Sequence, residues 1–342
     1  MNPLHTQHMI REPEDVGAAR RWVERDAKRA GMDDVRAAEA GLVTTELGTN
    51  LLRHAHPGGY LLTAVQQGPA VEILSLDRGP GLTSIDTAIK DWGDDWEGRK
   101  PGGLGAGLGA VRRLASEFDG YSRKGQGTVL LARLRSGPKP AHKEFAIGAV
   151  CLAQEGMTVS GDSWGSRAES TTMEVVVIDG LGHGPDAAEA AVTGVRAFID
   201  AATVDIDEQL TTVHQAMIAT RGGVAAIARA STATNRLEYV SVGNISGRVV
   251  TNGTSRGLVS NNGTMGIELR RPRASKMVYD WNPGSSLIVF TDGLRDRFEH
   301  PDYPGLLEHD PTLVAAVLYR DNYRGRDDAT AVVIKDLRAS GP

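Results

Sequence analysis

The sequence predicts two domains, an α/β domain followed by an α+β domain, and three observations carry that expectation. The chain has 342 residues, 40% of them apolar, which is enough for about two ordinary cores. A stretch broken by proline and glycine, Arg135-Ser136-Gly137-Pro138-Lys139-Pro140-Ala141-His142-Lys143, interrupts the apolar patterns on both sides and reads as a linker. Helical spacing opens the chain, whereas short β-type runs dominate after the linker. The expected division is residues 1–134 for the first domain, 135–143 for the linker and 144–342 for the second domain.

In the first domain, Val16, Ala19, Trp22 and Val23 recur at helical spacing between Pro13 and Ala30, and Asp33 or Asp34 caps a second helix reaching about Ala55. A His56-Pro57-Gly58-Gly59 turn leads into strand-like runs at Tyr60 to Val65 and Val71 to Leu76. A glycine-rich stretch then opens a helix expected at Val111 to Glu117, and a last strand spans Thr128 to Leu134. The sheet should be mainly antiparallel. In the second domain, β-type runs fall at Phe145–Leu152, Met173–Ile178, Val224–Ala230, Leu237–Val242, Ser246–Val250, Leu287–Phe290 and Ala329–Ile334. Helical patterns at Asp186–Ala201 and Asp207–Ala219 sit together between strands, which predicts a sandwich with sheets inside and helices outside.

The net charge of −5, from 38 basic and 43 acidic residues, is mixed along the chain, so no polybasic surface for nucleic acid or anionic lipid is expected. The start of the chain lacks the apolar core of a signal peptide, and no run of about 18 apolar residues occurs, so a cytoplasmic protein without membrane spans is expected. The one cysteine, Cys151, lies in the apolar run Ala149-Val150-Cys151-Leu152-Ala153 and reads as a small buried hydrophobe. No phosphate-cradling loop ending in Arg follows it, which excludes a cysteine phosphatase.

Chemistry-bearing residues concentrate at strand ends. Val175-Val176-Val177-Ile178-Asp179-Gly180 and Leu287-Ile288-Val289-Phe290-Thr291-Asp292-Gly293 each place an Asp-Gly pair after an apolar run. Asp327-Asp328 introduces the last strand, and Asp162 lies in Ser160-Gly161-Asp162-Ser163. Hard divalent cations prefer such carboxylate and carbonyl oxygens, and glycine lets a backbone carbonyl approach an ion closely. In the first domain, Glu46, Asn50 and His54 recur at i, i+4 and i+8 on one face of the second helix, with Leu42, Leu47, Leu51 and Leu52 as apolar neighbours. Asp77 ends a strand before Gly79 and Gly81, and Gly102-Gly103-Leu104-Gly105-Ala106-Gly107-Leu108-Gly109 opens a helix whose amides could close around phosphates. That run has neither a Rossmann layout nor the Lys-Ser/Thr ending of a P-loop.

In order and spacing, residues 10 to 134 resemble the ATP-binding fold shared by histidine kinases, gyrase and Hsp90, in particular the RsbT/RsbW-type serine kinases of bacterial partner switching. The resemblance implies that Glu46 is the base acting on the attacking hydroxyl and that Asn50 holds Mg²⁺ bridging the triphosphate. It implies that Asp77 bonds the adenine amino group, that Gly79 and Gly81 admit the base, and that Gly103, Gly105 and Gly107 close over the phosphates. The acidic and basic residues from Asp91 to Lys100 fall in its lid region.

The segment Asp179-Gly180-Leu181-Gly182-His183-Gly184-Pro185-Asp186, together with Gly161-Asp162-Ser163, Val242-Gly243-Asn244-Ile245, Thr291-Asp292-Gly293 and Asp327-Asp328-Ala329-Thr330, resembles the RsbX/SpoIIE group of PPM-type metal-dependent protein serine/threonine phosphatases. The likeness spans about residues 144 to 336 and implies a β-sandwich flanked by helices. It further implies that Asp179 bridges two Mn²⁺ or Mg²⁺ ions, that Gly180 offers its carbonyl, that Asp292 and Asp327 complete the second metal, and that Asp162 acts partly through water. Trp164-Gly165-Ser166 departs from the SpoIIE pattern and leans towards RsbX. His183 is expected to be exposed in a tight loop rather than to act as a general acid, and Asn244 either orients substrate or serves a strand-end turn. Together the two resemblances imply a bifunctional partner-switching regulator, a phosphatase with an ATP-dependent kinase domain. Its expected partner is a STAS-domain anti-anti-sigma or stressosome protein, with a sigma factor or anti-sigma factor as a further candidate. The alternative is a phosphatase whose first domain is a non-catalytic, nucleotide-gated binding module.

Overall fold

The computed structural model describes residues 4–85, 106–138, 144–201, 205–251, 253–297 and 300–338. Gly103, Gly105, the stretch from Asp91 to Lys100 and linker residues 139–143 lie outside the described residues. The chain divides into two compact units, Pro3–Pro140 and Ala141–Pro342. No helix among the described residues is long and apolar enough to cross a membrane.

In the first unit, β1 (Thr6–Ile10) is followed by helices α1 (Pro13–Arg29) and α2 (Asp34–His54), then β2 (Gly59–Gln66), β3 (Ala70–Asp77), helix α3 (Ala106–Leu114), β4 (Glu117–Arg123) and β5 (Gly127–Arg135). The strands form one antiparallel sheet in the order β1-β2-β3-β5-β4. Asp33 caps α2 by accepting from the Arg36 amide, satisfying a donor that the first helical turn leaves open. Val16, Ala19 and Val23 of α1 and Leu47 and Leu51 of α2 meet Leu61, Ile73, Leu130 and Leu134 of the sheet in one core.

Two segments differ from expectation. The helix starts five residues before Val111 and ends at Leu114, and Glu117 opens a strand instead of closing the helix. The reason is a cross-strand ion network: Glu117 sits opposite Arg133, and its carboxylate accepts from Arg133 at 3.1 Å and Arg135 at 2.7 Å. Strand β1 is too polar to be read from the sequence and forms by pairing with β2.

The second unit contains β6 (Phe145–Leu152), β7 (Asp162–Glu169), β8 (Thr172–Gly180), helices α4 (Pro185–Asp200) and α5 (Ile206–Met217), β9 (Gly223–Ser231), β10 (Arg236–Val242) and β11 (Ser246–Thr251). It continues with β12 (Thr254–Gly257), β13 (Met277–Asp280), β14 (Ser286–Phe290), helix α6 (Pro311–Asn322) and β15 (Ala329–Asp336). Two antiparallel five-stranded sheets, ordered β13-β10-β9-β8-β7 and β12-β11-β14-β15-β6, enclose a core containing Trp164, Val175, Val177, Tyr239, Leu287 and Val332. Because side chains alternate along a strand, Val176 and Ile178 face the other way and pack under α4 and α5 with Phe198, Leu210 and Met217. The outcome is the expected sandwich flanked by helices. Helix α6 was not legible in the sequence because it is apolar around nearly its whole circumference and so lacks a 3.6-residue stripe; every residue of it except Asp321 is buried.

Within the first unit, Glu72 is fully buried and accepts from Arg133 at 2.5 Å, with His5 Nε2 at 3.1 Å. Burial alone would raise its carboxyl, but the Arg133 guanidinium and His5 outweigh burial and hold it below the usual carboxylate value. Replacing Glu72 by Gln should destabilise the protein by on the order of 3 kcal/mol at neutral pH, read as a lower urea midpoint. A depressed carboxyl contributes stability above its unfolded pKa and loses it as pH falls through its folded pKa. The gap between wild type and Glu72→Gln should therefore close on acidification below the ordinary carboxylate range.

Candidate functional site

Strand β8 carries two carboxylates in opposite circumstances. At its start, Glu174 accepts from Arg167 and Arg229, each at 2.6 Å, with Gln209 Nε2 at 3.3 Å, so its charge is matched. At its end, the Asp179 side chain makes no hydrogen bond or ion pair among the described residues. Antiparallel pairing supplies its neighbours. The register sets Asp162 of β7 opposite Asp179, and pairing of β14 with β15 brings Thr291 and Asp292 beside the start of β15 at Asp327 and Asp328.

Burial, followed by the charges of Asp292, Asp327 and Asp328, pushes Asp179 up to about 8. Burial and then Asp327 raise Asp292 as well, against the opposing charge of Arg324. A cavity of about 670 Å³ opens here, with Asp179, His183, Asn244, Asp292, Arg326 and Asp327 in its lining. Among the described residues no three such side chains already close on one point as metal ligands, so the carboxylates line an open cavity rather than a finished cage. An all-oxygen donor set with uncompensated negative charge fits hard divalent cations.

The structure brings Asp179, Asp292 and Asp327 to this cavity, while Asp162, opposite Asp179, is not among the lining residues. Asp162 is buried, its Oδ2 accepts from Thr291 Oγ1 at 2.7 Å, and burial, then Asp179, raise its carboxyl well above the usual value. Gly180 donates its amide to the Gly161 carbonyl at 3.0 Å, and a Cβ on it would run into the Ala187 carbonyl, so the first turn of α4 can rest on the end of β8 only because residue 180 is glycine. His183 is exposed at the cavity, as expected.

Asn244 stands in the turn between the strands ending at Val242 and starting at Ser246 and lines the cavity, and its Nδ2 donates to Asp292 Oδ2 at 2.7 Å, a contact the sequence did not announce. Asp328 is a further residue that sequence reasoning missed. Its two oxygens accept from the amides of Gln154 at 2.8 Å and Gly161 at 2.7 Å, clasping the turn before β7 to the start of β15. The Asp-Asp doublet was visible in the sequence, but only these backbone partners distinguish the structural aspartate from the one at the cavity.

In the first unit, α2 half-exposes Glu46 and Asn50 and leaves His54 exposed. Leu47 and Leu51 are buried, but Leu42 is 48% exposed and is not part of the apolar support expected of it. A Cβ on Gly107 would lie 2.7 Å from Glu46 Oε2 and 3.6 Å from Asn50 Oδ1, so the glycine-opened helix α3 approaches both groups. Among the described residues, the buried Asn50 Nδ2 has no hydrogen-bond partner, which leaves a donor open to a ligand or water. Asp77 Oδ1 accepts from the amides of Gly79 at 2.7 Å and Thr128 at 3.2 Å. Residue 79 has room only for glycine beside the His54 carbonyl, where a Cβ would stand 3.0 Å away, and Gly81, at φ +69°, turns the chain against the Arg123 carbonyl.

Residues 10–134 match the family model of the histidine kinase-like ATPase domain, and residues 169–336 match that of stage II sporulation protein E, SpoIIE. The chain is 33% identical to the serine/threonine-protein kinase RsbT of Bacillus subtilis over 120 residues, covering 34% of this chain and 86% of that one. It is 28% identical to the phosphoserine phosphatase RsbX of Bacillus subtilis over 144 residues, covering 42% of this chain and 71% of that one. The crystal structure of RsbX in complex with magnesium shares the fold, with a TM-score of 0.51 at 22% identity over 57% of this chain and 97% of that one. Through residues 10–134 the chain belongs to the histidine kinase-like ATPase family, on the side of RsbT, and through residues 169–336 it carries a SpoIIE domain, that of a PPM-type serine/threonine phosphatase.

Proposed function

We propose that the protein removes phosphate from serine or threonine of a STAS-domain protein, an anti-anti-sigma factor or stressosome component, and that its first domain binds ATP with Mg²⁺ and phosphorylates the same class of partner. The proposed division is residues 1–134 for the kinase domain, 135–143 for the linker and 144–342 for the phosphatase domain. The observation that carries the phosphatase reading is the uncompensated carboxylate group around Asp179, whose members repel one another until cations arrive. Asp179, the Gly180 carbonyl, Asp292 and Asp327 would hold two Mg²⁺ or Mn²⁺ ions. When bound, the ions supply Lewis-acid chemistry, acidifying the attacking water and neutralising charge on the phosphoryl oxygens. Asn244 keeps Asp292 turned to its task, and Asp162, held back by Thr291, suits an outer role through water. Such chemistry needs no protein nucleophile, in keeping with a buried Cys151 whose thiol burial pushes up to about 12.

For the kinase half, the supporting observation is the approach of Gly107 to Glu46 and Asn50. Asn50 would hold Mg²⁺, Gly103, Gly105 and Gly107 would close over the phosphates, and Glu46 would act on the acceptor hydroxyl. Asp77, with Gly79 and Gly81, would recognise adenine. Phosphoryl transfer depends on positioning and charge neutralisation, which this small set can supply.

Asp179→Asn should nearly abolish Mn²⁺- or Mg²⁺-dependent hydrolysis of a phosphoserine protein, and a chelator should do the same to the wild type. Near-normal turnover in either case would rule out the two-ion site. Asn244→Ala should weaken Mn²⁺ binding by about tenfold, measured by calorimetry, because Asp292 loses the partner that orients it. In the first domain, Asp77→Asn should weaken ATP binding, whereas Glu46→Ala should retain binding and lose transfer of labelled phosphate to a STAS partner. Transfer surviving in Glu46→Ala would remove the base assignment. ATP binding by the wild type with no transfer would favour the nucleotide-gated binding module.

A further inference from the structure

Three arginines crowd the segment from α6 to β15, and they are committed to different degrees. Arg320 donates to its neighbour Asp321 at 2.8 and 3.0 Å. Arg324 donates to the Leu294 carbonyl at 3.3 Å, and its charge already bears on Asp292. Arg326 makes no hydrogen bond or ion pair among the described residues, yet it lines the cavity that Asp179, Asp292 and Asp327 line. Among the described lining residues it is the one permanent cation.

The backbone that carries Arg326 is braced on both sides. The Arg324 amide donates to the Gly293 carbonyl at 3.0 Å, Gly325 turns the chain at φ +75°, and the Tyr323 hydroxyl donates to the Asp327 carbonyl at 3.1 Å. Asp327 is closed back on itself, its Oδ1 accepting from the Asp328 amide at 2.9 Å. An exposed arginine is normally just a solvated charge. This one stands on a fixed loop at a wall of the cavity and pairs with none of the carboxylates beside it, so its donors remain available to a ligand entering there.

A phosphate monoester approaching this cavity meets three carboxylates that repel it. Divalent cations would answer the carboxylates, but the oxygens of the phosphoryl group turned away from them still need donors. A guanidinium presents parallel N–H groups at the spacing of two phosphate oxygens, with a charge that no pH in the working range removes. We propose that Arg326 is the phosphate-binding residue of this site, taking two non-bridging oxygens of the phosphoserine or phosphothreonine dianion and so setting which face of phosphorus is turned to the carboxylates. This assignment rests on the phosphatase reading above and adds to it the group that recognises the phosphate.

The test uses the full-length protein with saturating Mn²⁺ and inorganic phosphate as the probe. Calorimetry should show phosphate binding weakened about tenfold in Arg326→Ala, and only partly restored in Arg326→Lys, which returns the charge without the fork. With p-nitrophenyl phosphate, KM should rise by about tenfold while kcat stays within about twofold, the pattern of lost binding that is equal in ground and transition states. Mn²⁺ affinity and Tm should not move. Unchanged phosphate affinity in Arg326→Ala would overturn the proposal, as would a parallel loss of Mn²⁺ affinity, which would make Arg326 a support for the carboxylates. If the wild type hydrolyses no phosphomonoester while phosphate binding still depends on Arg326, the phosphatase reading fails and the assignment of Arg326 to phosphate stands.

Discussion

Repulsion among carboxylates at the end of β8 is the constraint on which the second unit is organised. Five aspartates from β7, β8 and the ends of β14 and β15 gather there, and burial makes the charges of Asp162, Asp179, Asp292 and Asp328 harder to carry. Such a cluster opposes folding unless its members are held by something stronger than their mutual repulsion. The surrounding scaffold does this with neutral donors: two backbone amides on Asp328, a threonine hydroxyl on Asp162 and an asparagine amide on Asp292. Asp179 is left without such a donor among the described residues, and burial with its acidic neighbours moves its carboxyl up to about 8. Glu174, on the same strand, has a pair of guanidiniums instead. The contrast separates, within one element, a carboxylate whose charge is matched by guanidiniums from one left among other carboxylates.

The first unit solves a different problem with a similar economy. Its candidate site is assembled where the α2 face, the turn after β3 and the start of α3 approach one another, and glycine permits each approach. Gly107 makes room for Glu46, Gly79 for the end of α2 and Gly81 for the Arg123 carbonyl. The buried charges of Glu72 and Arg133 and the half-buried ones of Glu117 and Arg135 lie in the sheet itself and pair across strands. The groups with chemical potential are thus on helix and turn, while the sheet ions hold register.

Much of the architecture was legible because its signals are local. The apolar runs that became β6, β8, β9, β10, β14 and β15 are long enough to be buried strands, and the spacing of Val16, Ala19 and Val23 dictates one face of α1. Elements that escaped reading have physical reasons in common. Strands β1 and β7 are polar and exist through their partners β2 and β8, and α6 is apolar on all sides and has no period to detect. The helix expected to reach Glu117 failed because a carboxylate found two arginines across a strand.

The sequence by itself determined which residues could carry chemistry: the Asp-Gly strand ends, the Asp327-Asp328 doublet, the Glu46 and Asn50 face, and the glycine-rich entry to α3. Tertiary structure alone decided how they divide the work. Asp327 and Asp328 are chemically identical neighbours, yet one lines the cavity while the other is consumed by the amides of Gln154 and Gly161. Asn244 and Asp292 are 48 residues apart and touch because β11 and β14 pair in register. Local pattern reports what a side chain is, but burial, charge and hydrogen-bond partners depend on strands brought together across the chain, and these set what it can do.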